Sequence, residues 1–106
     1  MAQTRVRVPK SAKKGELIEV KTIVKHTMES GRRKGADGKL IPQQIVNKFE
    51  CMYGGKTVFS ADFAGSVSAN PNLSFFLRAA DSGKIDFKWT EDNGTVSTDS
   101  AEITVS

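Results

Sequence analysis

The chain has 106 residues, 38% of them apolar, with nine glycines, a net charge of +4 and a pI of about 9.4. That is one domain of ordinary size with material for one modest core, so a disordered tail is excluded and neither metal nor disulfide is required for folding. A single cysteine, Cys51, excludes an intrachain disulfide, and no apolar stretch is long enough to cross a membrane as a helix.

The basic residues fall in short, separated runs: Lys10, Lys13 and Lys14, then Arg32, Arg33 and Lys34, with the rest spread along strand-like segments. No nucleic-acid motif accompanies them, so nucleic acid is not the expected partner. A solvated face or docking to an acidic protein fits the pattern better. Residues 1–8 lack the apolar segment of a signal peptide, and taken alone this composition points to the cytoplasm.

Period two dominates the chain. Arg5-Val6-Arg7-Val8 alternates and stops at Pro9, which cannot donate to a ladder. Residues 16–25 place Ile18, Val20, Thr22 and Val24 on one face, opposite Glu19, Lys21 and Lys25, as a half-buried strand requires. Residues 30–39 are polar, hold three glycines and read as a loop that ends at Pro42. Strand character resumes over residues 45–53, with Phe49, Cys51 and Tyr53 together, and Gly54-Gly55 turns the chain into residues 56–63. There Phe59, Ala61 and Phe63 share a side. Asn70-Pro71-Asn72 is a turn. A strand over residues 73–80 follows, with Leu73, Phe75 and Leu77 on one side. After a turn at Asp81-Ser82-Gly83, residues 84–90 set Ile85, Phe87 and Trp89 against Lys84, Asp86 and Lys88. Asp92-Asn93-Gly94 suits a tight hairpin with two positive-φ positions. The last strand, residues 95–105, carries Val96 at an even position but Ile103 and Val105 at odd ones, so a β-bulge is expected near Asp99-Ser100. No helical period appears. About seven strands joined by turns predict an all-β, immunoglobulin-like antiparallel sandwich in one domain, residues 1–106.

Few residues carry recognisable chemistry. Cys51 shares an apolar face with Phe49 and Tyr53, where burial would keep its thiol protonated and inert. One histidine, His26, with one cysteine, Cys51, and one nearby methionine, Met28, makes a poor ligand set for zinc or copper. His26 reads as a loop residue bonded to backbone, or as a polar contact at an interface. Asp62, Asp81, Asp86, Glu91 and Asp92 include no evident acid–base pair. Glu91-Asp92-Asn93-Gly94 lacks the ligand spacing of a calcium loop, and Gly31, Gly35 and Gly38 lack the strand–turn–helix setting of a phosphate cradle. No catalytic residue, metal site or cofactor is expected.

Three segments, in order, carry a resemblance. They are His26-Thr27-Met28-Glu29-Ser30-Gly31 with the basic loop and Ile41-Pro42; Phe49-Glu50-Cys51-Met52-Tyr53-Gly54-Gly55; and Ser68-Ala69-Asn70-Pro71-Asn72-Leu73-Ser74-Phe75-Phe76, leading into Phe87-Lys88-Trp89-Thr90-Glu91-Asp92-Asn93-Gly94. With the Arg-Val-Arg-Val-Pro start, they make the chain similar to the SoxZ family over nearly its whole length. The resemblance implies the non-catalytic subunit of the SoxYZ sulfur carrier, paired as a heterodimer with SoxY. In that family SoxY bears thiosulfate-derived sulfur on a cysteine in a Gly-Gly-Cys-Gly-Gly arm. Here residues 101–106, Ala-Glu-Ile-Thr-Val-Ser, contain no such arm. The resemblance further implies a periplasmic location reached together with SoxY, and transient contact with other Sox enzymes. Two other readings stand beside it: a small redox or metal-dependent oxidoreductase on the same sandwich, and a free-standing thiol carrier using Cys51.

The expected partner-binding residues are His26, Met28, Asn70, Pro71, Phe75 and Phe76. The first four lie in two loops suited to receiving the partner's arm, with Arg32, Arg33 and Lys34 close by in sequence. The last two come from an excess of large side chains, Phe59, Phe63, Phe75, Phe76 and Trp89, over what one core of this size hides.

Overall fold

The computed structural model describes residues 3–26, 28, 31, 32, 34–63 and 70–106. Eight strands follow one another: β1 (Thr4–Arg7), β2 (Ser11–Ala12), β3 (Leu17–Val24), β4 (Val46–Tyr53), β5 (Lys56–Asp62), β6 (Asn72–Arg78), β7 (Gly83–Glu91) and β8 (Val96–Val105). They form a three-stranded sheet, β1-β3-β6, and a five-stranded sheet, β2-β8-β7-β4-β5. The expected all-β sandwich is the observed one. Its eighth strand, β2, has only two residues and pairs parallel with β8; such a short bridge leaves no periodic trace in the sequence.

Alternation places the core as read. Ile18, Val20, Thr22 and Val24 of β3, and Ile85, Phe87 and Trp89 of β7, all point inward and are buried. Phe49 is the centre of packing. Its ring meets Phe87 at 6.3 Å, Trp89 at 5.3 Å and Phe59 at 6.1 Å from its own sheet, and Phe75 at 5.9 Å from the other. Phe59 and Phe75 stack across the gap between the sheets, 4.2 Å apart.

Three details differ from the sequence reading. Strand β8 holds no bulge near Asp99-Ser100: its register with β7 is unbroken from Gly83↔Ile103 to Thr90↔Val96. The odd residues Ser97, Asp99, Ala101, Ile103 and Val105 face inward throughout, and Val96 is an apolar residue on the outer side. Inward Asp99 is tolerated because Thr4 of β1 donates to its carboxylate at 2.8 Å. The irregularities lie in β4 and β5 instead. Asn47 is skipped between Val46↔Glu91 and Lys48↔Thr90, which lets even-numbered Val46 and odd-numbered Phe49 both face the core. Val58 is skipped between Cys51↔Phe59 and Met52↔Thr57 and is left exposed. The two glycine-bearing hairpins also diverge. Gly54 and Gly55 both take positive φ, as expected, whereas in the β7–β8 connection only Gly94 does. That connection is a three-residue loop closed by Glu91 N–H to Thr95 O at 2.8 Å, a turn followed by one left-handed glycine.

Phe49→Ala is expected to lower unfolding stability by about 3–5 kcal/mol, because the cavity opens where both sheets meet. Val96→Thr, on the outer side of β8, is expected to stay within about 0.5 kcal/mol. Denaturant titration of both variants checks this.

Candidate functional site

The two loops named from sequence meet at one end of the sandwich. Because β3 and β6 pair with Ile23 opposite Asn72, the residue leaving β3 lies beside the residue entering β6. His26 and Asn70 close the junction reciprocally: Asn70 N–H donates to His26 O at 2.7 Å, and His26 N–H donates to the Asn70 side-chain oxygen at 2.9 Å. Asn70 holds φ 52°, a left-handed conformation that asparagine accepts more readily than most residues. Pro71 is buried, and its carbonyl accepts from Val24 N–H at 3.2 Å.

The imidazole of His26 turns inward. Its Nε2 lies 2.8 Å from Glu91 Oε1, with the two side chains only 9% and 7% exposed. Its Nδ1 accepts from Met28 N–H at 2.9 Å. An acceptor Nδ1 leaves the ring proton on Nε2, so a neutral imidazole donates to the Glu91 carboxylate. Glu91 Oε1 also accepts from the Gln44 side chain at 3.2 Å, and the Met28 sulfur accepts from Val46 N–H at 3.3 Å. Asp92 N–H donates to Ile45 O at 3.0 Å. These bonds tie the ends of β3, β4, β6 and β7 into one clasp. A buried carboxylate would otherwise carry a large desolvation penalty, and the two donors offset it.

Chemically, both ring nitrogens of His26 are committed to protein partners, so in this state the ring has neither a free lone pair nor a free proton to offer. Met28, expected as a soft contact for a partner, is buried as a filler of the clasp, and its φ of 56° aims its backbone N–H at the histidine. Of the neighbouring segments, Thr27, Glu29, Ser30 and Arg33 lie outside the described residues, as do Ser68 and Ala69 of the third family-like segment.

Phe75 and Phe76 are adjacent on a strand and therefore part company. Phe75 is buried against Phe49 and Phe59, while Phe76 points outward at 65% exposure, away from the clasp. Of the large side chains counted as an excess, the core takes Phe75 and Trp89 and half covers Phe59 and Phe63, leaving Phe76. The six expected residues thus sort into four at the clasp, one in the core and one on an outer sheet face. Sequence reading missed Glu91, which it treated as part of a turn. The signal was there: Glu91 continues the odd-numbered inward series of Ile85, Phe87 and Trp89.

Cys51 is 0% exposed and lies opposite Phe87 and Phe59 in the two ladders that flank it. Burial, with a smaller contribution from the negative charge of Asp86, pushes its thiol up to about 12 from 9.0. Among the described residues no three His, Cys, Asp or Glu side chains gather as a metal site would require.

Two outcomes are expected from these placements. Glu91→Leu, which orphans the His26 ring proton and the Gln44 amide, should destabilise the fold by about 2–3 kcal/mol, and Glu91→Gln, which keeps an acceptor, by clearly less; amide exchange should accelerate at residues 26, 28 and 45–46 first. For Cys51 the folded state keeps a proton that the unfolded chain loses above pH 9, so its contribution to stability falls as pH rises from 9 towards 12. The difference between wild type and Cys51→Ala should therefore shrink over that range by up to about 1.4 kcal/mol per pH unit, and native Cys51 should resist iodoacetamide at pH 8 until denaturant is added.

Solved structures with the same architecture come from several functional settings. The superoxide reductase (neelaredoxin) from Ignicoccus hospitalis superposes with a TM-score of 0.73 at 16% identity, over 99% of this chain and 82% of that one. The sulfur carrier protein SoxY from Chlorobium limicola f thiosulfatophilum superposes with a TM-score of 0.65 at 13% identity, over 97% and 78%. A CARDB domain from Pyrococcus furiosus, solved with di-metal ions, gives 0.57 at 14% identity, over 100% and 94%. At such identities the likeness establishes the shared sandwich and nothing about activity. No curated protein sequence matches. The family model for the sulphur oxidation protein SoxZ, however, matches residues 6–102, from the first strand to the last, and the chain therefore belongs to the SoxZ family.

Proposed function

We propose that this chain is the non-catalytic subunit of a SoxYZ sulfur carrier complex. It pairs with SoxY, whose arm cysteine bears the sulfur during thiosulfate oxidation, and it meets other Sox enzymes only in passing. The observation that carries the reading is the family match over residues 6–102. The chemistry of the chain's own side chains supports it. The one thiol is sealed in the core and held protonated, which disfavours a free-standing carrier using Cys51. The one imidazole is engaged at both nitrogens. A redox reading by analogy with the superoxide reductases would need a set of metal ligands, and the described residues gather none.

Within this proposal the clasp end, with Asn70 and partly exposed His26 at its surface, is where the SoxY arm comes to rest, and buried Met28, Pro71 and Phe75 support that end and the sheet from beneath. Phe76 belongs to the pairing surface. A periplasmic location, reached in company with SoxY, is part of the same proposal.

The test is reconstitution. The chain and the SoxY encoded in the same genome, expressed together, should elute as a stable complex from size exclusion. Thiosulfate-dependent turnover of the complete Sox system should require both. Cys51→Ser should retain that turnover within about twofold once loss of stability is allowed for, whereas abolished turnover in a folded Cys51→Ser complex would place sulfur chemistry on this chain and refute the non-catalytic role.

A further inference from the structure

The two sheets present outer faces of opposite electrostatic design. On the five-stranded sheet Lys48, Lys84 and Lys88 each sit across the ladder from a carboxylate, while Lys56 on the edge strand lies opposite Tyr53. Lys48 is opposite Asp62, Glu50 opposite Lys88 and Lys84 opposite Glu102, and Lys84 also lies 3.7 Å from Asp86. Such opposite-charge pairing stabilises a sheet and leaves a face with no strong preference for a charged partner.

The three-stranded sheet breaks that rule. Its outward residues on β1, β3 and β6 include Arg5, Arg7, Lys21 and Arg78 against one carboxylate, Glu19. Arg7 and Lys21 stand directly opposite one another, a like-charge pair that costs stability. The 3.8 Å contact of Lys21 with Glu19 is exposed at both ends and offsets little of this. The same face carries two of the chain's most exposed large apolar side chains, Leu17 at 57% and Phe76 at 65%. They are diagonal neighbours in the β3–β6 ladder, since Leu17 lies opposite Arg78 and Glu19 opposite Phe76. At the other end of the face is a shallow hollow of about 300 Å³ whose walls include Arg5, Arg7, Lys21, Asn72 and Ser74, with half-buried Ile23 among them. An apolar knob, a cation-lined hollow and a retained like-charge pair lie within one sheet face. A repulsive feature kept at the expense of stability is what a binding surface shows.

We propose that the outer face of β1-β3-β6 is the docking surface for an acidic protein with an apolar centre, which in the pairing proposed above is SoxY. The partner's carboxylates face Arg5, Arg7 and Lys21, and an apolar pocket on it receives Leu17 and Phe76. A second copy of this chain is disfavoured as the occupant, because two such faces would oppose like charges. Burying the apolar pair would supply the core of the contact, and the cations would supply rate and register.

This assignment rests on the pairing itself, and the experiment separates the two. Titration calorimetry of the purified chain into SoxY is run at low and at high ionic strength with four proteins: wild type, Arg7→Glu/Lys21→Glu, Phe76→Ser, and Lys48→Glu/Lys88→Glu as the matched change on the other sheet. All altered positions are on outer faces, and circular dichroism checks that each variant is folded. The expected result is weakening of about tenfold or more for the Arg7/Lys21 and Phe76 variants, or about 1.4 kcal/mol. The matched control should change by less than about twofold, and wild-type affinity should fall with added salt. Equal losses on both sheets, or wild-type affinity in the Arg7/Lys21 and Phe76 variants, would overturn the surface while leaving the pairing intact. Wild-type chain that fails to bind SoxY at all would overturn both.

Discussion

In a sandwich with no disulfide, two sheets stay together only as well as their inner faces interlock, and here that task converges on Phe49. Its ring touches aromatic rings from β5, β6 and β7, so both sheets register against the same side chain. Among the described residues, close packing of this kind fills the space around Phe49 and seals Cys51 beside it. Whatever this chain recognises must therefore approach the outer faces, the edges or the ends of the sandwich.

At one end the same constraint takes a polar form. Four strands finish near one another, and their last backbone groups need partners. His26 meets this need from the centre, bonding to Asn70 through its backbone and to Met28 and Glu91 through its ring. The result fixes this end of the molecule. It also explains how a lone histidine beside a glutamate can be structural: an oriented imidazole becomes a general base only if one nitrogen is left for the substrate.

The sequence was most informative where one strand answers one question. Period two showed the inner faces of β3 and β7 because each runs regularly from end to end. In β8 it misleads, because apolar Val96 faces outward and the register from Gly83↔Ile103 to Thr90↔Val96 needs no bulge. The bulges at Asn47 and Val58 were hidden because a skipped residue is defined only against a partner strand. Period two should also have separated Phe75 from Phe76, since neighbours on a strand cannot both face a partner. The clasp was half legible: His26, Met28 and Asn70 were singled out, but the bond to Glu91 spans 65 residues and no local pattern announces it. Family membership followed from ordered segments along the whole chain, a signal that neither charge nor periodicity contains.

The two readings of the surface meet in one physical statement. The five-stranded sheet pairs most of its outer charges across its ladders, and the three-stranded sheet leaves its cations and two apolar side chains exposed. Amide hydrogen exchange of the chain alone and bound to SoxY tests this most directly. Docking on the three-stranded face should slow exchange along the edge strands Thr4–Arg7 and Asn72–Arg78, with the exchange of Lys56–Asp62 on the far sheet unchanged. Protection confined to Lys56–Asp62, or no protection on either sheet in a formed complex, would contradict it.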